Sequence, residues 1–499
     1  MEHFDVAIIG YGPTGAALAN LLGQCGVNVV VLEREAAAYH LPRAVHFDGE
    51  IMRILQWIGI AEEMEPLTAL HPGMKFVDGN GETMLDWPRP KGVGAQRWRS
   101  AYRFHQPDLE RLLREKAATF PNISVRNRCD LFYVEDEGEH VALRYENMSC
   151  GRIERISASY VVGCDGARST IKRYIETDME DFGFHERWLV IDAILNDEKP
   201  ELGEYSVQFC IPQRPATYVR GPGMRRRWEI TINQQEDPQK VTKPDYVWDL
   251  LSDWLKPDEA ELERIALYVF HSLLAKTWRK GRLLLAGDAC HQTPPFMGQG
   301  MCTGIRDAAN LYWKLALLCK GAVPAARAED LLASYEKERK PNARTYIETA
   351  IRLGGLINTS KTKEDLQAAL PVCKGGVQMQ SISPPLGKAM GYGDLAGHLF
   401  GQPQLDDGSW IDDDFLHEFL VVADTKLAKE LALPDDVGLI TTDMSSDAAS
   451  HLSRLDVGAV ILRPDRYIFA GANSTDELNA QLKKILPSPT GVASVTNAQ

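Results

Sequence analysis

The sequence predicts an α/β fold whose first domain is a parallel sheet flanked by helices. Three segments lead to this prediction, because each joins a short apolar run to a glycine turn. They are Phe4–Ile9 with Gly10-Tyr-Gly-Pro-Thr-Gly15, Tyr160–Gly163 with Cys164-Asp-Gly-Ala-Arg168, and Arg282–Ala286 with Gly287-Asp288. Short apolar runs bounded by glycine are typical of buried parallel strands. We therefore expect all three segments to belong to one domain.

The first glycine turn has the spacing of a dinucleotide-binding motif, and it opens an Ala- and Leu-rich stretch that predicts a helix ending near Gly26. In a Rossmann-like fold, Gly10 permits the tight turn, Gly12 lets a pyrophosphate approach the backbone, and Gly15 lets the helix pack closely on the strand. The phosphates lie on the helix N-terminus, where unpaired N–H groups favour anions. We therefore predict that this turn binds a dinucleotide.

A second strand is predicted at Val27–Leu32, and it stops at Glu33, with Arg34 directly behind. This is about the spacing at which an acidic side chain meets the ribose hydroxyls of a bound dinucleotide. Glu33 and Arg34 are therefore candidate cofactor-binding residues. This segment alone leaves FAD and NAD both open.

The other two glycine segments resemble motifs of the FAD-dependent aromatic hydroxylases, the single-component monooxygenases of the para-hydroxybenzoate hydroxylase and phenol hydroxylase type. In that family, an Asp-Gly motif like Asp165-Gly166 is shared between FAD and the pyridine nucleotide, and an aspartate like Asp288 binds the ribityl chain. The resemblance implies FAD as cofactor, with NADH or NADPH and O2 as co-substrates. It also implies cofactor contacts by Arg43, Gln106, Gly287, Pro295, Gly298, Gly300 and Met301.

Pro294-Pro295 and Gly298-Gln-Gly300 predict the start of a long helix that runs to about Cys319. A helix N-terminus at this place would point its positive end at the flavin pyrimidine ring and stabilise the anionic reduced flavin. His291, just upstream, is expected to hold the loop in place rather than to react.

The resemblance implies that NAD(P)H reduces FAD, that O2 then forms a flavin C4a-hydroperoxide, and that one oxygen passes to a phenolic ring. Loss of the phenolic proton raises the electron density of the ring, so a base or proton relay is needed nearby. The catalytic candidates are His46 and Asp48. His46 also suits a packed histidine, and Asp48 suits the N-cap of a helix over Gly49–Ile58, so both alternatives stay open. Pro295 matches a family proline whose carbonyl contacts the substrate hydroxyl.

Two insertions, about Pro72–Arg103 and Phe182–Ala266, are predicted to form an α+β substrate domain that roofs the flavin. The second contains alternating strand-like stretches at Trp188–Ile194, Tyr205–Ile211 and Arg227–Ile232. Candidate substrate-binding residues are Gln208, Cys210 and Tyr218, and strand alternation places the first two on one face. A carboxylated substrate needs an arginine or polar clamp, but we interpret Arg225–Arg227 as an exposed charge run.

The domains are predicted to be interleaved. The FAD-binding domain comprises residues 1–72, 106–180 and 270–354, and the substrate domain comprises 73–105 and 181–269. A linker over 355–408 leads to a small α/β unit over 409–486, with strands at Phe419–Val422, Val437–Ile440 and Ala459–Leu462, and residues 487–499 form a disordered tail. Val460-Ile-Leu-Arg-Pro-Asp-Arg-Tyr467 resembles the C-terminal thioredoxin-like domain of phenol hydroxylases. The unit lacks a redox cysteine pair, so a structural role or dimerisation is expected.

Within the family, the chain resembles most the 3-(3-hydroxyphenyl)propionate hydroxylases, in phrases such as Leu41-Pro-Arg-Ala-Val-His-Phe-Asp48 and Arg214-Pro-Ala-Thr-Tyr218. A small phenolic acid is therefore the expected substrate. Hydroxylation of a larger polyketide phenol stays open as the alternative, because fold does not fix substrate. A flavin halogenase is disfavoured, because its Trp-x-Trp-x-Ile-Pro signature is missing. A non-catalytic binding module is disfavoured, because all three cofactor motifs are intact.

The composition fits this interpretation. The 499 residues carry a net charge of −14 and no long basic run, which argues against nucleic acid as a partner. A strand starts by residue 4 without a charged leader, and no long apolar run occurs, so we expect a cytoplasmic protein and a homodimer without a membrane span. The nine cysteines are scattered, and we interpret them as reduced thiols that bind no metal, with Cys290 and Cys302 as small apolar filling.

Overall fold

The computed structural model describes residues 1–359 and 382–487, and these contain four sheets. The first sheet has eight strands. Six of them follow one another in the spatial order Arg279–Lys280, Leu283–Leu285, Arg152–Gly163, Glu2–Ile9, Val29–Glu33 and Ile123–Asn127. The remaining two, Val141–Asn147 and Cys129–Asp136, extend the sheet from Arg152–Gly163 through antiparallel pairing.

The four strands predicted for this sheet are confirmed. Glu2–Ile9 pairs in parallel with Val29–Glu33 and with Arg152–Gly163, which pairs in parallel with Leu283–Leu285. The carboxyl ends of parallel strands meet at one edge of a sheet. The three glycine turns therefore come together there, and we name this region the dinucleotide edge: residues 10–15, 164–168 and 286–289.

Helices cover this sheet, and their bounds are Pro13–Gln24, Gly49–Ile58, Ala61–Met64, Gln106–Ala117, Thr170–Ile175, Gly300–Cys319 and Ala325–Thr359. Pro13–Gln24 begins directly at the first glycine turn, with proline in its first turn, where the missing N–H costs nothing. Gly300–Cys319 starts and ends as predicted and is buried along most of its length. Its neighbour Ala325–Thr359 continues through Pro341.

The second sheet also has eight strands, in the order His291–Gln292, Ala260–Ala275, Met179–Leu195, Arg225–Thr231, Ala216–Arg220, Ser206–Phe209, Gly73–Val77 and Thr83–Pro88. It joins strands from both predicted insertions, and the three strands predicted in the second insertion are confirmed. Two short helices, Pro238–Val241 and Pro244–Leu251, pack on one side of it, where Trp228, Ile230 and Leu251 belong to one buried apolar cluster.

The other side of the second sheet faces the dinucleotide-binding domain, and we name it the roof face. Gln208 lies opposite Phe76 and Thr217, and cross-strand partners share a face. Cys210 packs in one apolar cluster with Phe76 and with Phe296, a residue of the loop before the long helix. Gln208 and Cys210 therefore lie on the same face, as strand alternation predicts.

A three-stranded sheet connects the two larger ones. It consists of His46–Asp48, Ala101–Arg103 and Ala69–Leu70, with His46 opposite Arg103. Gly49–Ile58 follows at once, and the Oδ1 atom of Asp48 accepts the Ile51 N–H at 3.2 Å as its N-cap. The helix ends at Gly59, which has a positive φ of 82°.

The C-terminal unit, residues 409–486, contains the four-stranded sheet Val437–Thr441, Phe419–Ala423, Ala459–Leu462 and Ile468–Ala472, in that order. The three strands predicted there are confirmed. Its helices are Ile411–Asp414, Thr425–Ala428, Ser446–Leu455 and Thr475–Leu482. The first two strands run parallel and the other pairs are antiparallel. The unit contains no cysteine.

Part of the predicted linker, residues 360–381, and the predicted tail from residue 488 onwards lie outside the described residues. Within the described ranges, no helix is both long and apolar enough to cross a membrane.

Candidate active site

Two glycines of the first turn are required by close backbone approach. Gly10 has a φ of 98°, and a Cβ there would lie 2.5 Å from the carbonyl oxygen of Cys164. A Cβ on Gly15 would lie 2.2 Å from the carbonyl oxygen of Gly10. Both distances are far below van der Waals contact, so only glycine fits. The turn, the helix and the neighbouring strand end are thus packed against one another.

Gly12 differs, because a Cβ there would have no atom within 4 Å. It is the N-cap of the helix Pro13–Gln24, so the free N–H groups of that helix open onto unfilled space. Glu33 lies beside this space, and its carboxylate accepts the N–H of Tyr11 at 2.7 Å and of Glu35 at 2.8 Å. Arg34 is exposed and pairs with Glu35 at 3.3 Å.

The helix Gln106–Ala117 presents a polar stripe to the same edge. Gln106 accepts the N–H of Ala44 at 2.7 Å and donates to Glu110 at 2.7 Å. Arg114 donates to the carbonyl of Tyr11 at 2.8 Å. Gln106 was predicted, whereas Glu110 and Arg114 were missed. Their spacing of four residues is the signal that could have found them, since such positions share a helix face.

Arg43 lies on an exposed loop, with its guanidinium 4.5 Å from the centre of the Tyr39 ring. The loop is held by Arg227, which donates to the Arg43 carbonyl at 2.6 Å and to Asp192 at 2.7 Å. Arg226 and Arg227 are buried, so the interpretation of Arg225–Arg227 as an exposed run is wrong for these two residues. Burial became possible because Asp192, on the next strand, neutralises Arg227.

Asp165 precedes the short helix Thr170–Ile175 and binds its first residue. The Oδ2 atom of Asp165 accepts the N–H of Thr170 at 2.6 Å. Burial raises the pKa of Asp165 above its ordinary value. Its Oδ1 atom is buried and has no hydrogen-bond partner in the described residues. A buried carboxylate oxygen without a partner is costly, so it is available to a hydroxyl or amine donor of a bound ligand.

Gly287 and Asp288 end the strand Leu283–Leu285, and Asp288 is exposed. Asp307, on the helix Gly300–Cys319, holds the turn in place. Its carboxylate accepts the Gly287 N–H at 3.0 Å and forms hydrogen bonds with Nε2 of His291 at 2.6 Å and with Nε of Arg339 at 2.8 Å. His291 thus holds the loop, as expected. Cys290 lies close to His291 and Asp307, but its Sγ donates to the Gly287 carbonyl, and Arg339 neutralises the Asp307 carboxylate. These residues therefore stabilise the turn rather than bind a metal ion.

The segment before the long helix forms a tight turn. Gly298 has a φ of 63°, and its N–H donates to the Pro295 carbonyl at 2.8 Å. A Cβ on Gly298 would lie 3.0 Å from Nδ1 of His46, and a Cβ on Gly300 would meet nothing within 4 Å. Met301 is partly buried beside it. The helix N-terminus therefore faces unfilled space, as the first helix does.

His46 is buried under this turn, and neither ring nitrogen has a hydrogen-bond partner in the described residues. Burial, followed by the positive charge of Arg89, holds the pKa of His46 well below its ordinary value. The ring is therefore neutral at physiological pH, and one of its nitrogens is free to accept a hydrogen bond. His71 lies edge-on to it, with the ring centres 5.6 Å apart.

Asp48 is engaged on both oxygens. Oδ1 caps the helix, and Oδ2 accepts from Arg306 at 2.6 Å and from Gln299 at 3.1 Å. Burial is the largest single influence and would raise the pKa of Asp48, but the charge of Arg306, the neighbouring His46 and the hydrogen bonds from Arg306 and Gln299 together outweigh it and lower the pKa. The alternative interpretation as an N-cap is confirmed, and the carboxylate is an anchored anion.

Arg103 lies beside His46 on the small sheet and reaches the roof face. It donates to the Ser206 hydroxyl at 2.9 Å and to the Glu204 carbonyl at 2.8 Å, while its Nε has no hydrogen-bond partner in the described residues. Desolvation lowers its pKa to about 9. No carboxylate within the described ranges forms a salt bridge with this buried cation.

The predicted substrate-binding residues lie in different places. Gln208 is on the roof face but is occupied, since it accepts from the Thr217 hydroxyl at 2.6 Å and donates to the Ala216 carbonyl at 3.0 Å. Cys210 lines the apolar cluster with Phe296. Tyr218 lies on the opposite face, where its ring packs 5.3 Å from that of Trp228.

The dinucleotide edge, together with Glu33 and the N-terminus of the helix Gly300–Cys319, fits FAD. Two helix N-termini, at Gly12 and Gly300, open onto space that a Cβ would not fill, which suits a pyrophosphate at one and the flavin ring at the other. An acid at each strand end, Glu33 and Asp288, suits the ribose and ribityl hydroxyls.

Comparison with known proteins gives the same result. A family described as the FAD binding domain matches residues 3–350. A probable NADH-specific resorcinol 4-hydroxylase of Rhodococcus jostii is 34% identical over 98% of this chain and 96% of its own length. A 3-(3-hydroxy-phenyl)propionate/3-hydroxycinnamic acid hydroxylase of Burkholderia vietnamiensis is 35% identical over 71% of this chain and 63% of its own.

Solved structures share the fold. The flavin-dependent monooxygenase PieE, solved with FAD and substrate, superposes with a TM-score of 0.79 at 18% identity, over 97% of this chain and 98% of its own. The anhydrotetracycline hydroxylase OxyS of Streptomyces rimosus gives 0.77 at 24% identity, over 98% and 100%. The chain belongs to the FAD-binding aromatic hydroxylases, the flavin-dependent monooxygenases. FAD is its cofactor.

Proposed function

We propose that the protein hydroxylates a small phenol, using NADH, with a phenolic acid such as 3-(3-hydroxyphenyl)propionate as its substrate. Support for NADH over NADPH comes from the name of the Rhodococcus relative, which matches nearly the whole chain. Support for a phenolic acid comes from the Burkholderia relative and from the buried charge of Arg103.

The observation that carries the proposal is the pairing of a neutral base with an uncompensated cation. His46 and Arg103 are cross-strand partners on the small sheet, between the helix Gly300–Cys319 and the roof face. A buried guanidinium without a carboxylate is costly unless an anion joins it. A phenolic acid supplies the carboxylate for Arg103 and the hydroxyl for His46.

When bound, FAD supplies electrophilic oxygen from O2 after reduction by the nicotinamide nucleotide. The chain's own residues prepare the ring. We assign to His46 the acceptance of a hydrogen bond from the phenol hydroxyl, and we assign to Asp48 the fixing of the strand that carries it. The Pro295 carbonyl has a second lone pair beside the Gly298 bond, which can accept from the substrate hydroxyl.

Cofactor contacts are assigned as the sequence predicted them, with Glu110 and Arg114 added as supports of the first turn. On the roof face, Cys210 contributes apolar wall and Gln208 keeps the neighbouring strands in register. An apolar wall excludes water, which protects the oxygen transfer from side reactions. The ring of Tyr218 packs on the far side of the sheet, but Tyr218 interacts electrostatically with Arg103, so we assign it the support of Arg103 rather than a direct contact with substrate.

Resorcinol is the second candidate, because the relative named for it aligns over almost the full length of the chain. Resorcinol has no carboxylate, so it would leave Arg103 without a partner. For a larger natural-product substrate, the support is the anhydrotetracycline hydroxylase OxyS, which at 24% identity shows the fold alone.

The test is a substrate panel on the purified FAD-loaded protein. NADH and NADPH oxidation, O2 consumption, peroxide and aromatic product are followed with 3-(3-hydroxyphenyl)propionate, resorcinol and anhydrotetracycline. We expect the phenolic acid to stimulate NADH oxidation most and to yield a dihydroxylated ring with little peroxide. Peroxide without product from both small phenols would overturn the proposal.

A further inference from the structure

The C-terminal unit is connected to the candidate active site by hydrogen bonds from one hairpin loop, Arg463–Tyr467, which we name the docking loop. The loop joins the strands Ala459–Leu462 and Ile468–Ala472. It turns tightly through Arg466, which has a φ of 61°. Its side chains are almost completely buried, although four of the five residues are polar.

One half of the docking loop anchors it on the helices of the FAD-binding family domain. Both Nη atoms of Arg463 donate to Glu338, at 2.9 and 3.0 Å, and Asn310 donates to Asp465 at 3.1 Å. Tyr312 donates to the carbonyl of Pro464 at 3.3 Å. These contacts fix where the loop lies but do not lead to the candidate active site.

The other end of the loop does lead there. The Tyr467 hydroxyl donates to Oε1 of Glu50 at 2.9 Å, and Oε2 of Glu50 accepts from Arg306 at 2.6 Å. Arg306 then donates to Asp48 at 2.6 Å and to the side-chain oxygen of Gln299 at 2.9 Å. All five side chains are at least nine-tenths buried.

The two ends of this chain of bonds are the two supports of the reaction site. Asp48 belongs to the strand that carries His46, and Gln299 is the N-cap of the helix whose N-terminus faces the flavin. We propose that Tyr467 is a positioning residue for hydroxylation, acting through Glu50 and Arg306 on His46 and on the helix N-terminus at Gly300. The C-terminal unit thus supports the chemistry itself, and this role rests on the proposed function.

The physical reason is the geometry of Arg306. Its planar guanidinium divides three donors among Glu50, Asp48 and Gln299, and stacks 5.0 Å from the centre of the Tyr346 ring. A guanidinium serves several acceptors only while each of them is held in place. Tyr467 supplies the bond that orients the Glu50 carboxylate, so its loss lets Glu50 and then Arg306 shift.

The test compares two variants that each remove one hydroxyl from the same junction. Tyr467→Phe removes the bond to Glu50, whereas Tyr312→Phe removes the bonds to Pro464 and to Nδ1 of His417 and leaves Arg306 untouched. Two quantities are measured in the FAD-loaded proteins: the reduction potential of bound FAD without substrate, and the product formed per NADH oxidised with the phenolic substrate.

We expect Tyr467→Phe to lower the reduction potential, because the helix N-terminus stabilises the reduced anion less well, and to lower product per NADH at least twofold. Tyr312→Phe should change neither. Equal values in the two variants, or an unchanged potential in Tyr467→Phe, would overturn the inference. If Tyr467→Phe does not fold, Glu50→Gln replaces it with the same expectation.

The potential separates this inference from the proposed function. A wild type that hydroxylates no phenol would end the proposed function while leaving the potential measurable. A shifted potential with unchanged coupling would contradict the link to His46, and therefore the inference as stated.

Discussion

The dinucleotide edge and the group of buried residues His46, Asp48, Arg103 and Arg306, which we name the chamber, are built in opposite ways. The edge is formed by backbone atoms. Some of its glycines lie too close to neighbouring carbonyl groups to carry a Cβ, and at the helix N-termini a Cβ would contact no protein atom. The chamber is made of buried side-chain charges, with Arg306 between two carboxylates and Arg103 with none. Cofactor binding should therefore respond to added atoms, and chemistry to removed charges.

The largest effect should come from adding a charge at the edge. Gly12→Asp places a carboxylate where the pyrophosphate approaches, and repulsion of about 3 kcal/mol corresponds to at least ~100-fold weaker FAD binding. We expect a folded, colourless protein without hydroxylation. Gly12→Ala is the matched variant, because it adds a Cβ that meets no protein atom within 4 Å and therefore crowds the pyrophosphate without adding charge, so its loss of FAD affinity should be the smaller one. FAD titration followed by fluorescence measures both, and equal affinity in the two variants would contradict the phosphate assignment.

The next effect tests whether chemistry depends on the chamber alone. His46→Ala should keep FAD but lower kcat about 100-fold, the usual range for loss of one positioned hydrogen-bonding group at the reacting centre. Because the pKa of His46 is held well below its ordinary value, the neutral ring persists throughout the neutral range. The wild-type pH profile should therefore show no loss of activity from His46 between pH 8 and pH 6. A loss centred near the ordinary histidine pKa that disappears in His46→Ala would contradict this environment.

The sequence predicted the edge far better than the chamber, for a physical reason. Gly10, Gly15 and Glu33 belong to one local motif whose geometry depends on a few neighbouring residues. Arg103 and Arg306 are indistinguishable in sequence from surface charges, because only long-range strand pairing and helix packing bury them. In the sequence, Asp48 suited both a catalytic residue and a helix N-cap. Its hydrogen bond with Arg306, which is 258 residues away in the chain, favours the anchoring role.

A third prediction concerns Asp48 as an anchor. Asp48→Asn should lower stability by about 3 kcal/mol, because one partner of a buried ion pair is lost. The pKa of Asp48 is lowered in the folded protein, so its contribution is present at neutral pH and is lost as the pH falls through the acidic range. Melting temperatures of the two proteins should differ at pH 7 and still at pH 5, and should converge only as the pH falls below about 4, the ordinary pKa of an aspartate. A constant difference would contradict the ion pair as its source.

A smaller effect should separate the two candidate substrates. Arg103→Lys keeps a positive charge but loses the planar fork, so the KM of the phenolic acid should rise about tenfold. The KM of resorcinol should change less than about twofold, since it brings no carboxylate. Steady-state kinetics with both compounds gives the ratio, which cancels any general distortion. An equal rise for both would remove Arg103 from carboxylate recognition.

The smallest effect is expected at the surface of the edge. Arg34 is exposed and pairs with Glu35, so Arg34→Ala should weaken FAD binding by less than about 1 kcal/mol, and less still at high salt. Titrations at two salt concentrations measure this. A large, salt-independent loss would show that Arg34 moves into contact with the cofactor.

The contrast between the edge and the chamber is tested most directly by the amount of hydroxylated product formed per NADH oxidised. This ratio is measured in the wild type and in His46→Ala at equal bound FAD. The wild type should give a ratio near one. His46→Ala should bind FAD as well as the wild type while most of its NADH oxidation yields hydrogen peroxide. Coupled hydroxylation at the wild-type ratio in His46→Ala would contradict the central claim that the chamber, separately from the edge, carries the chemistry.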